Sequence, residues 1–283
     1  MGTVRVEPSV QPAHAGFHWR IWGAEAAGTA LFVLGALSIV ALVLGDGSPV
    51  DQILGSESTR LLAAGLLVGA CVSLIVISPL GRLSGAHLNP AVTLAFGVLG
   101  RVSGHDVVGY LLAQLAGALA GAVAFRVLWG SVADSVDGGV THPTVATPVA
   151  VGMETGMTAL LVTMILAFVS RERLTRWIPL MLWPLLGVLI WRGAPYTGTS
   201  LNPARSAGPA VAFVDLADLW LYLVAPTFGA LAVAVLWRRG HLSRHPKTAK
   251  LFHDPRYACS FASDLPAMPP DARSGVDPPG VSG

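Results

Sequence analysis

Six stretches of this chain, roughly 21–44, 61–80, 107–129, 148–169, 177–195 and 219–237, are each long and apolar enough to cross a bilayer, which takes about 20 largely apolar residues. Lipid offers no partners to backbone N–H and C=O groups, so each run has to form a helix. Two further apolar stretches, about 90–99 and 203–213, are too short to cross. They are expected to be re-entrant half-helices supported by protein on all sides. Hydrophobic residues make up 53% of the chain and charged residues 12%, about half the charge of an ordinary globular protein. The 32 glycines suit close helix packing in lipid. The expected fold is an all-α membrane protein with six transmembrane helices and two half-helices.

Orientation follows from the basic residues, which concentrate on the cytoplasmic side. With six crossings both termini share a side. Arg5, Arg20, Arg82, Arg101, Arg171, Arg173, Arg176, Arg238, Arg239 and the tail residues Arg244, Lys247, Lys250, Arg256 and Arg273 then fall together. Asp46, Asp51, Glu57, Asp134, Asp137, Asp215 and Asp218 occupy the opposite loops. A multi-pass protein of the cell (plasma or inner) membrane with both termini cytoplasmic is expected. Residues 1–20 read as a polar N-terminal tail with no cleaved signal, 21–237 as the membrane domain, and 238–283 as a disordered C-terminal tail.

Several function classes drop out. A net charge of +2, without a basic run interleaved with aromatics, gives no reason to expect nucleic acid. Cys71 and Cys259 fit neither a disulfide framework nor a zinc site. No nucleophilic triad, phosphate-cradling glycine loop or metal cluster is visible, so neither an enzyme nor a cofactor is expected.

The chain repeats itself. Ser84-Gly85-Ala86-His87-Leu88-Asn89-Pro90-Ala91 recurs as Thr197-Gly198-Thr199-Ser200-Leu201-Asn202-Pro203-Ala204. Each copy follows the second span of a three-span half, with repeat one at about 21–129 and repeat two at about 148–237. Three is odd, so the second half enters the membrane from the other side. An inverted 3+3 repeat places a transport site near the midplane.

Asn89 and Asn202 are the only asparagines in the chain. Asn is a favoured helix N-cap and Pro suits the first helical position, so each Leu-Asn-Pro-Ala reads as a loop that begins a helix. Inversion aims the two half-helices at each other, and their positive ends converge where cations would pass. Each Asn amide offers N–H donors to the oxygen of a solute. Arg205 directly follows the second motif. A charge near the membrane centre costs about 2.5–3.5 kcal/mol on insertion scales, so such a residue usually lines an aqueous cavity. Glu25 and Glu154 hold equivalent early positions in the first and fourth spans. They are expected to accept bonds from the non-helical loops, with Gln114 in similar scaffold work. His87 reads as a structural histidine, or less readily as a pH sensor. Arg126 and Arg192 read as side chains reaching the outer interface, or, for Arg192, as part of an outer vestibule.

The paired motifs Asn89-Pro90-Ala91 and Asn202-Pro203-Ala204-Arg205-Ser206 resemble those of the aquaporin (major intrinsic protein) family. Ala24-Glu25-Ala26-Ala27-Gly28-Thr29, Gly109-Tyr110, Gln114 and Glu154 also match, and the resemblance covers about 20–237. It implies a homotetramer with one pore per subunit, passing water and small neutral solutes through a lipid bilayer. It also implies a four-residue selectivity ring, which counting from the motifs places on Gly69, Ile190, Thr199 and Arg205. Water-selective members carry an aromatic and a histidine at the first two positions, so a wider, less polar ring is expected here. Ser206 and Tyr222 look water-channel-like and Leu223 glycerol-like. The chain therefore resembles a bacterial-type member intermediate between water channels and aquaglyceroporins. The alternatives are a strictly water-selective channel, an ion-coupled transporter with inverted repeats, and an adhesion role on the same fold.

Overall fold

A computed structural model describes residues 17–240, 245–257, 261 and 263–265. Arg5, Arg244, Cys259 and Arg273 lie outside the described residues, as do most of the N-terminal tail and the chain from 266 onward. Repeat one contains helices α1 (Trp19–Leu44), α2 (Glu57–Ile77), the half-helix α3 (Pro90–Val98) and α4 (Gly104–Trp129). Repeat two contains α5 (Thr147–Val169), α6 (Ile178–Thr197), the half-helix α7 (Pro203–Ala212) and α8 (Leu219–Arg238). The six long helices meet the length and composition of membrane spans. Below, the side on which α1 begins and α8 ends is called the terminal face.

Glycine sets the spacing between spans. A Cβ added to Gly117 of α4 would stand 2.2 Å from the Ala26 carbonyl of α1, and one on Gly229 of α8 would stand 2.3 Å from the Thr155 carbonyl of α5. These are equivalent helix pairs in the two repeats, so the same contact is built twice. Helix–helix attraction in lipid comes largely from van der Waals contact, which such close approach maximises. α2 meets α6 across the halves in the same way. A Cβ on Gly65 would lie 2.6 Å from the Gly187 carbonyl, and one on Gly69 would lie 2.3 Å from that of Trp183.

Each half-helix packs on the third span of the opposite repeat, α3 on α8 and α7 on α4. The C-terminal carbonyls of a half-helix have no partners within it, and an arginine from that same span supplies one. Arg126 of α4 donates to the Ala212 carbonyl at 2.6 Å while stacking over Phe213. Arg238 of α8 reaches the Val98 carbonyl at 3.4 Å. A cation at a helix C-terminus also opposes the negative end of its dipole. This corrects the reading of Arg126 as a side chain merely reaching for the interface. Arg192 lies over Trp191 and is not among the residues lining the central cavity.

The C-terminal segment departs from the expected disorder. Thr248, Ala249 and Lys250 are fully buried, and Leu251, Phe261 and Leu265 nearly so. Their partners belong to the terminal face of the membrane domain.

Candidate pore and selectivity region

The loops that enter the membrane from opposite faces have the same backbone. Residues 85, 86 and 88 are left-handed in the first copy, and 198, 199 and 201 in the second. Gly85 and Gly198 accept this conformation readily. Ala86 (φ +53°), Leu88 (+52°), Thr199 (+48°) and Leu201 (+57°) do not, at about 1–2 kcal/mol each. A loop wound this way sends successive N–H groups in different directions, and no helix can absorb them.

Two carboxylates do. Glu25 of α1 accepts from the Leu88 amide at 2.5 Å and from Gln114 at 2.9 Å. Glu154 of α5 accepts from the Ser200 and Leu201 amides, each at 2.9 Å, and from the Thr197 hydroxyl at 2.7 Å. Both are wholly buried. Both oxygens of Glu154 and Oε1 of Glu25 are engaged in scaffold bonds to the loops and their neighbours, while Glu25 Oε2 is buried without a partner among the described residues. Two tyrosines complete the symmetry at the loop starts. Tyr110 of α4 donates to the Ser84 carbonyl, and Tyr222 of α8 donates to that of Thr197 at 2.7 Å.

Asn89 and Asn202 cap α3 and α7. Asn89 Oδ1 accepts from the Ala91 amide at 2.9 Å, and Asn202 Oδ1 from those of Ala204 and Arg205 at 3.0 and 3.3 Å. Each amide nitrogen then crosses to the other repeat. Asn89 Nδ2 donates to the Leu201 carbonyl at 2.9 Å and Asn202 Nδ2 to the Leu88 carbonyl at 2.7 Å. Each amide has two N–H groups, so one remains on each side for a solute. The Asn side chains thus fasten the two half-helix tips together and keep a donor pair free.

A cavity of about 420 Å³ runs past these tips. Asn89, Asn202, Ile190, Thr199 and Arg205 all line it, so the structure brings together three of the four ring residues and both motif asparagines. Arg205 is the single Lys or Arg among the described residues of its wall. Its guanidinium donates to the Gly139 carbonyl at 2.8 Å, which holds the charge to one side of the passage.

Gly69 does not join them. The direction of its missing side chain runs into the Trp183 backbone of α6, so it is a helix-packing glycine, not a pore residue. The wall of α2 is made by Leu61, Ala64, Val68 and Val72, the three- and four-residue spacing of one helix face. Gly65 lies against Ile190, which sets its neighbour Ala64 at the level of Ile190. The partners of His87 are structural: Thr93 Oγ1 at 3.0 Å, the Ala249 carbonyl at 2.8 Å and the ring of Phe96.

The family model for major intrinsic proteins matches residues 13–237. The chain belongs to that family. Similar proteins include Probable aquaporin NIP7-1 of Arabidopsis thaliana, 30% identical over 80% of this chain and 78% of the relative. Probable aquaporin NIP5-1 of the same plant is 33% identical over 76% of this chain and 67% of the relative. The match to its Aquaporin NIP1-1, at 34% identity, spans only 59% of either chain. These relatives are plant proteins, which lends no support to a bacterial-type member. In fold the chain is similar to the aquaglyceroporin from Plasmodium falciparum, with a TM-score of 0.61 at 21% identity over 78% of this chain and 95% of that one. The major intrinsic protein described here is a membrane channel that passes water and small solutes, not an enzyme.

Proposed function

We propose that this channel passes water together with small uncharged solutes, with glycerol, urea and metalloid hydroxides as the candidates, and excludes ions and protons. The observation that carries the proposal is the pair of half-helices meeting tip to tip, each capped by an Asn whose amide both bridges the repeats and leaves one donor free. A water held by two such donors has its oxygen lone pairs engaged, so a proton wire through it is broken. The positive half-helix ends and Arg205 oppose cations.

The solute range follows from the ring. With Ala64, Ile190, Thr199 and Arg205 as its members, one wall carries only a methyl group where an aromatic would narrow the passage. Arg205 supplies donors on one side, and the apolar side chains opposite accommodate a carbon skeleton. The relatives' names attach the aquaporin label to several plant proteins, and the structural neighbour is an aquaglyceroporin. Both agree with a mixed permeability.

Ala64→Trp is expected to cut glycerol flux by about tenfold or more while leaving most water flux, because pore diameter selects against the larger solute first. Gly69→Ala pushes a methyl into α6. It is expected to cost about 1–3 kcal/mol of stability without changing the glycerol-to-water ratio. Light-scattering swelling of liposomes holding each variant measures both. A wild type that passes water and rejects glycerol would defeat the wide-ring reading. An unchanged ratio in Ala64→Trp would remove Ala64 from the ring.

The second function class, an ion-coupled transporter, needs titratable groups free to bind and release ions at the midplane. Glu25 and Glu154 are instead engaged with loop amides. We further propose a homotetramer in the cell membrane with the terminal face cytoplasmic. The basic residues gathered on that face favour this orientation.

A further inference from the structure

The described C-terminal residues, 245–257, 261 and 263–265, lie across the mouth of the pore on the terminal face. Backbone bonds join them to both repeats. The Leu251 amide donates to the Gly85 carbonyl at 3.0 Å, and the Lys247 amide to that of Val169, at the end of α5, at 2.9 Å. The Ala249 carbonyl meets His87 Nε2 at 2.8 Å, and the Lys250 ammonium donates to the Arg82 carbonyl at 2.8 Å. Phe261 packs on the rings of His87 and Tyr110. Two ion pairs hold the flanks, Arg82 with Asp254 at 3.1 Å and Arg101 with both oxygens of Asp264 at 3.1 and 2.9 Å.

Leu251 is 3% exposed and forms part of the cavity wall, beside His87 and Leu88. A solute moving along this wall toward the terminal face meets an isobutyl group that accepts and donates nothing. An apolar side chain that narrows a pore at its mouth can close it by excluding water.

We propose that the C-terminal segment is an autoinhibitory plug with Leu251 at its tip, and that the channel conducts fully only when the segment lifts away. The inference rests on the channel reading, but it concerns rate and not selectivity. Both flanking ion pairs are partly solvated and individually weak, so the docked segment can exchange with a released one. Arg256, with Arg82, draws the Asp254 carboxyl down to about 2. Its contribution is complete above the ordinary carboxylate range and is lost only as pH falls through that value. Asp254 therefore stays charged for Arg82 at neutral and mildly acid pH.

Osmotic water flux through full-length protein in liposomes tests the plug. Leu251→Ser removes the apolar tip. Asp264→Arg breaks the pair with Arg101, and adding Arg101→Asp restores it with the charges exchanged. If the segment is docked roughly nine-tenths of the time, Leu251→Ser is expected to conduct up to about tenfold faster than wild type and Asp264→Arg, which loses one weak pair, about two- to fourfold faster, with the charge-exchanged double variant returning to the wild-type rate. Single variants no faster than wild type, or a double variant as fast as Asp264→Arg alone, overturn the plug. The glycerol-to-water ratio belongs to the ring and is expected to be equal in all these proteins. A high ratio with unchanged rates therefore sinks the plug and spares the channel reading. Absence of water flux in every protein sinks both.

Discussion

Glu154→Leu is expected to be the most damaging single change in the membrane domain, removing most folded channel from detergent extracts. The carboxylate is wholly buried and accepts from two amides and a hydroxyl. Leucine fills similar space but accepts nothing. A buried donor left unpaired costs about 1–3 kcal/mol, so two stranded amides cost about 2–6 kcal/mol. That is a large part of the roughly 5–15 kcal/mol that holds a typical protein folded. The loop carrying Thr199 and Leu201 is already wound through left-handed backbone, so it has no strain-free alternative in place. Glu154→Gln keeps one carbonyl acceptor and is expected to fall between the two. Glu25 accepts one loop amide directly, so Glu25→Leu is expected to be milder than its counterpart. Thermal unfolding followed by gel filtration ranks the four proteins. Equal stability of Glu154→Leu and wild type would show that the loop holds itself.

Arg205→Val is expected to open the channel to protons and small cations while leaving water flux within about twofold. At an effective dielectric constant near 20, a unit charge about 5 Å from the passage opposes a cation by about 3 kcal/mol. That corresponds to roughly a hundredfold in rate. Loss of the guanidinium also frees the Gly139 carbonyl, whose negative end then faces the passage. The measurement is proton entry into liposomes driven by a potassium diffusion potential, read with an enclosed pH dye. Proton entry unchanged in this variant would place the whole barrier at Asn89, Asn202 and the half-helix ends.

The register of α2 shows where counting along a chain stops being informative. Between Gly69 and Asn89 the chain passes through a separate short helix, Pro79–Ser84. A turn of that kind changes which face of the preceding span meets the lumen, and nothing local to 57–77 records the change. Gly65 and Gly69 are drawn to α6 because only glycine lets those backbones touch. Ala64 and Val68 are left to the cavity as a result. Arg126 eluded sequence reasoning for a related reason. Its acceptor, the Ala212 carbonyl, lies on a half-helix of the other repeat, and no pattern around Arg126 points there. A signal did exist in retrospect: Arg238 ends the equivalent span of the second half.

The amino-acid sequence alone determined the spans, the inverted halves, the half-helix starts and the placing of Arg205 beside the second motif. Those features depend on hydropathy, helix capping and the parity of membrane crossings, all of which act over a few neighbouring residues or by simple count. Tertiary structure alone decided which face of α2 lines the pore, what pairs with Arg126, and that a polar, proline-containing tail docks at the mouth. Each of these depends on a surface assembled from distant segments, as when Ala249 and Leu251 meet His87 and Gly85. A tail whose partners come from elsewhere in the fold carries no periodicity of its own, so by composition it resembles a segment with none.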